Sequence, residues 1–121
     1  MATPIFLDAV IGARIIAETV RAMVCDVSPT MSDIEVKAQV CALEATERLE
    51  WKPLVLPMAQ ERALVLVLCG VTPTGSRLDG PTRESWVVYR SSWDGKSRNV
   101  TLRNGTQTVT TSIILETEIE A

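Results

Sequence analysis

Two turn signals within one stretch, Trp93 to Val109, restrict the fold of this chain more than any other feature. Asp94-Gly95 and Asn104-Gly105 are dipeptides favoured in two-residue β-hairpins, because both positions accept positive φ. Placed as type I′ turns, they pair Trp93 with Lys96, Tyr89 with Val100 and Val87 with Leu102. The second turn then pairs Leu102 with Gln107 and Val100 with Val109. One face collects Val87, Tyr89, Trp93, Val100, Leu102, Val109, Ile113 and Leu115. The other collects Arg90, Ser92, Ser97, Asn99, Thr101, Arg103, Thr106, Thr108 and Thr110, with Trp86 and Val88 as apolar exceptions. A slip of one residue would destroy this separation, so the pattern predicts a three-stranded antiparallel meander over about 85–119. Its last strand outruns the hairpin. Ile114, Glu116, Glu118 and Ile119 are left without a partner there and become candidates for a subunit contact.

The first half of the chain reads as helical. Thr3-Pro4 resembles an N-cap followed by proline at the first helical position, and apolar residues keep helical spacing to about Val24. Ala9, Ala13 and Ala17 form a small-residue seam that a helix of the same domain or of another subunit could approach. Ser32-Asp-Ile-Glu35 fits a capping box, which predicts a second helix to about Glu50, with Glu44 and Arg48 paired. Val36, Val40 and Leu43 then form a second apolar stripe available to another subunit. A strand competes, since Ile34, Val36, Ala38 and Val40 also alternate. Pro57 and Gly70 favour a buried helix between them, although Leu64 to Leu68 would serve as a central strand. Residues 70–84 read as a loop. The expected architecture is therefore one α+β domain over 1–121: two or three N-terminal helices, about 4–69, packed on a C-terminal three-stranded meander.

Composition narrows the chemistry. The chain has 121 residues and no histidine, which removes the commonest general base and metal ligand. Cys25, Cys41 and Cys69 are widely spaced and form no C-x-x-C, so buried, reduced thiols are expected, without metal or cofactor. No nucleotide-binding glycine motif occurs. Asn99 and Asn104 both lie in N-x-T sequons, but the N-terminal residues lack the basic and cleavage features of a signal peptide, so secretion is not expected and the expected setting is cytoplasmic or within a virion. Charged residues interrupt the first apolar segment, so no membrane span is expected.

The net charge of −3 is unevenly spread. Residues 1–61 hold nine acids against five bases, and residues 62–115 hold seven bases against three acids. Such polarity can steer copies of one protein together. The reading that follows is a non-catalytic structural or assembly protein that self-associates into a ring or particle, a viral or phage virion being one such setting. Its partners are further copies and other structural proteins of the assembly. One alternative is a nucleic-acid-binding regulator using Arg77, Arg83, Trp86, Arg90, Arg98 and Arg103, since arginine beside stacking residues suits single strands. The acidic whole and the apolar position of Tyr89 and Trp93 oppose it. Another is a small-ligand pocket or enzyme lined by Trp51, Trp86 and the cysteines.

Overall fold

The computed structural model describes residues 10, 12–28, 31–54, 63–71, 80–93 and 95–115, and among them it is an all-β sandwich. The strands are β1 (Arg14–Ile15), β2 (Arg21–Ser28), β3 (Met31–Leu43), β4 (Glu47–Pro53), β5 (Ala63–Val71), β6 (Thr82–Ser92), β7 (Asn99–Asn104), β8 (Gln107–Ser112) and β9 (Ile114–Leu115). Sheet I holds β6, β3, β2 and β9 in that order, and β1 shares with β2 one long edge of β3. Sheet II has the order β4-β5-β7-β8, with β5 and β7 parallel.

Among the described residues the predicted helices are absent, and the α+β architecture is replaced by two sheets. In place of the first helix stand β1, a 3-10 turn at Ala17–Thr19 and β2. In place of the second stand β3 and β4, and β5 occupies 63–71. Residues 1–9, with Thr3, Pro4 and Ala9, lie outside the described residues. The physical reason is clearest in β3. Ile34, Val36, Ala38, Val40 and Ala42 are all 2% exposed or less, so period two places every one of them in the core. A helix over the same residues would divide them between two faces. The Ser32–Glu35 capping pattern is overridden by this long-range burial, which local propensity cannot register.

Trp51, Leu66, Leu68, Val100 and Leu102 of sheet II face β3, and all join one hydrophobic cluster. The Trp51 indole reaches across and donates to the Val87 carbonyl at 2.9 Å, which satisfies its buried N–H and joins the two sheets. The chain changes sheet four times, at β3–β4, β5–β6, β6–β7 and β8–β9. The chain leaves β3 through a turn at 44–46 to enter β4, and Ile113 separates β8 in sheet II from β9 in sheet I.

The meander is corrected in the same way. β6 pairs with β3 and β7 pairs with β5 and β8, so Trp93–Lys96, Tyr89–Val100 and Val87–Leu102 are not pairs. Asp94 lies outside the described residues. Trp93 instead donates from its backbone to Ser32 and from its indole to Ser97, which directs the chain from one sheet to the other. The second hairpin is present with its register moved by two: Asn104 pairs with Gln107, Leu102 with Val109 and Val100 with Thr111. Gly105 takes φ +61° while Thr106 stays negative, the sign pattern of a type II′ turn. A shift of two preserves the faces, so Val100 and Leu102 remain fully buried as expected. Ser97, expected on the polar side, is buried at 3%. Of the expected overhang, Ile114 and Leu115 pair in parallel with Met23 and Val24, and residues 116–119 lie outside the described residues.

The closing pair of this hairpin also fastens the start of sheet I. Val10 donates to Asn104 Oδ1 at 2.8 Å, and Asn104 Nδ2 donates to Val10 O at 3.1 Å and Ala13 O at 3.0 Å. Gln107 exchanges the same two-point contact with the backbone of Ile15, at 2.8 Å each way. Two side-chain amides thus stand in for a neighbouring strand. Both Nδ2 hydrogens of the buried Asn104 are engaged, so its sequon offers no glycan acceptor in the folded chain. A third substitution of this kind closes the gap between β1 and β2. There the Thr19 hydroxyl accepts from Gln39 N at 2.8 Å and donates to Ile16 O at 2.6 Å.

Asn104→Ala removes the side-chain partner of Val10 N, Val10 O and Ala13 O and is expected to cost about 2–4 kcal/mol, more than Gln107→Ala at the half-buried end of the clamp. Urea unfolding of the two variants against the parent measures this; equal losses would mean that Asn104 is no more than a turn residue.

Candidate functional site

The direction of the β3 amides determines which edge of sheet I is open. Gln39 N and O are used by Thr19 and Ile16, so the odd-numbered β3 residues point to β1 and β2. The even-numbered ones therefore point to β6, and backbone bonds from Trp93 to Ser32 and from Glu44 to Pro81 continue that ladder at both ends. In register, Ile34, Val36, Ala38, Val40 and Ala42 meet Ser91, Tyr89, Val87, Ser85 and Arg83. The backbone groups of Glu84, Trp86, Val88, Arg90 and Ser92 consequently face away from β3. β6 pairs with no other strand among the described residues, so this edge is open there.

The same five side chains lie on the outer face of sheet I. Cross-strand rows run over that face: Arg90–Glu35–Met23–Ile114, then Val88–Lys37–Arg21, then Trp86–Gln39. Arg90 forms an ion pair with Glu35, which raises the guanidinium further above its ordinary value. The Lys37 ammonium lies 5.5 Å from the centre of the Trp86 ring. Trp86 is 51% exposed, Val88 52%, Ile114 43% and Met23 37%. A shallow groove of about 230 Å³ runs between the first two rows, lined by Arg21, Met23, Glu35, Lys37 and Ile114. The face thus carries two apolar pairs, Trp86 with Val88 and Met23 with Ile114, separated by Glu35 and Lys37 of β3; apolar patches beside charges of both signs are common on protein contact surfaces.

The residues expected at a subunit contact are distributed differently. Val36, Val40 and Leu43 are buried in this chain's own core, Ala13 packs against that core, and Ala17 is exposed in the 3-10 turn. Ile114 is on the outer face, and Glu116, Glu118 and Ile119 lie outside the described residues. The basic-aromatic group is dispersed. Trp86 and Arg90 are on the outer face of sheet I, Arg83 is exposed at the start of β6, Arg103 is on the outer face of sheet II, and Arg98 covers the Trp93 ring at 5.3 Å. Arg77 lies outside the described residues. Nor do the residues of the suggested pocket meet, because Trp51 is in the core while Trp86 is on the far side of sheet I.

The cysteines are half-buried rather than core residues: Cys25 and Cys41 belong to the outer face of sheet I and Cys69 to that of sheet II. Among the described residues, no group of three or more His, Cys, Asp or Glu could hold a metal, and no helix is long and apolar enough to cross a membrane. A second groove, about 200 Å³, lies beside Trp93, Tyr89 and Ile34 and carries no ionisable lining group but the Tyr89 phenol. Sequence reasoning missed Met23 as a surface feature, whereas Trp86 and Val88 already stood out as two large apolar residues on an otherwise polar face.

The chain matches no protein-family profile, no curated protein and no solved structure.

Burial pushes the Cys69 thiol above its ordinary pKa; Lys52 opposes this shift and Glu50 adds to it. At pH 8 Cys69 is therefore expected to alkylate more slowly in the folded chain than in the unfolded one, and more slowly still in Lys52→Ala. Mass spectrometry of iodoacetamide-treated protein follows both, and a faster reaction in Lys52→Ala would contradict the assignment.

Proposed function

We propose that this chain is a non-catalytic structural subunit that acts by self-association, of the kind from which rings and particles are built. Several of the sequence features that first suggested assembly now have intrachain roles. The alanine seam has no helix, the second apolar stripe is core, and Ile114 and Leu115 are paired within the chain. The observation that carries the proposal is the outer face of sheet I, where Met23, Trp86, Val88 and Ile114 are all exposed and Trp86 and Val88 lie on a strand edge left open among the described residues. Large apolar side chains gathered on one face gain from being covered, and the paired and opposite charges around them suit a surface that meets itself. The uneven distribution of acids and bases along the chain supports orientation of the encounter, not its strength.

Light scattering and sedimentation across micromolar concentrations are expected to give a mass above that of one chain. Trp86→Ser with Val88→Ser is expected to lower it toward the monomer without loss of the far-ultraviolet β signal, because both side chains are half exposed in the single chain. A monomer at every concentration for the parent protein would sink the proposal.

A further inference from the structure

We infer that the contact between copies is an antiparallel pairing of two β6 edges about a two-fold axis at Val87; this rests on the self-association reading and specifies its geometry. The β6 sequence around Val87 is self-complementary. With Val87 opposite Val87 of a second copy, Glu84 meets Arg90, Trp86 meets Val88, and each relation recurs on the other side of the axis. The backbone agrees with this register. Glu84, Trp86, Val88 and Arg90 are the residues whose amides face the open edge, and these are the residues that would exchange hydrogen bonds. Their side chains share the outer face, so the charge pairs would flank an apolar centre formed by two Trp86 and two Val88 side chains. Glu84 has no ion-pair partner among the described residues.

Of the edge strands of sheet II, β8 is shorter, six residues against the eleven of β6, and β4 differs on every count. β4 carries Glu47, Arg48, Glu50 and Lys52, is broken by a bulge where Arg48 takes φ +57°, and ends at Pro53. Charge, bulge and proline are the usual protections of an edge against pairing. β6 runs in unbroken register with β3 over Thr82–Ser92, with no proline and an apolar centre. Such an edge is suited to pairing with a second copy.

A charge exchange tests the register. Glu84→Arg sets two guanidinium groups against each other at both ends of the contact, and Arg90→Glu sets two carboxylates against each other there. Each variant alone is therefore expected to associate about tenfold more weakly than the parent. Mixed in equal amounts, the two restore an opposite-charge pair at each end, and a heterodimer of parental affinity is expected. Val88→Pro is an independent probe, because it removes an amide that faces the open edge and leaves the β3 ladder intact; loss of association is expected. If the parent associates but both charge variants match it, or if their mixture is no tighter than either alone, the β6 register is wrong and self-association proceeds elsewhere. A parent that remains monomeric overturns both readings, and Glu84 and Arg90 then protect the edge.

Discussion

β3 sets the terms for the whole molecule. Its thirteen residues pair with β6 along one edge and with β1 and β2 along the other. Its inward residues, from Ile34 to Ala42, form the centre of the core. Once the parity of this strand is fixed, several consequences follow together. Ile34, Val36, Ala38, Val40 and Ala42 must be buried, and Glu35, Lys37 and Gln39 must lie on the outer face. The backbone direction then assigns odd residues of β6 to hydrogen bonding with β3 and even residues to the free edge. The same parity therefore determines both the interior and the candidate contact surface.

A strand so central needs its neighbours held at both ends, and polar side chains provide much of that hold. Thr19 completes the ladder where β1 and β2 part, and Asn104 with Gln107 fixes the segment that leads into β1. Trp51 fastens β4 to β6. Gly70 shows how closely β5 and β4 approach, since a Cβ there would lie 2.8 Å from Leu49 Cδ2. Each contact joins residues far apart in sequence, in a fold dominated by non-local pairing. Such a fold forms slowly, and an unpaired β6 is then exposed to other chains during folding.

What could be read from the sequence was parity. The alternation in Val100, Leu102 and Val109 identified the core side of the β7–β8 hairpin even with the register displaced by two, because the faces repeat every two residues. Helix and strand were confused where short-range signals agreed with each other but not with the fold. Ser32 to Glu35 fits a capping box, yet pairing with distant β6 and burial of alternate residues against sheet II decide the outcome. The Asp94-Gly95 dipeptide failed for a related reason: a turn signal says that the chain reverses, not which sheet it enters. The contact surface was partly legible, as Trp86 and Val88 are anomalous on any two-periodic reading. Met23 and Ile114 could not be placed beside each other without knowing that β9 returns to sheet I.

The dispersal of the basic residues has a further consequence for function. Arg90, Arg98 and Arg103 are close in sequence, but β6 and β7 belong to opposite sheets, so alternation directs Arg90 and Arg103 to opposite outer faces. Arg90 is paired with Glu35, and Arg98 lies over Trp93. A phosphate backbone binds through cations gathered along one continuous track, and these arginines supply none. On the outer face of sheet I three cations instead have local roles: Arg90 neutralises Glu35, Lys37 covers the ring of Trp86 and Arg21 donates to the Glu18 and Val20 carbonyls. Partial neutralisation lowers the cost of withdrawing the face from water, because fewer unpaired charges must be desolvated. The face is therefore better suited to another protein surface than to a polyanion, and the proposed β6 pairing would bring that surface in along the edge left open among the described residues.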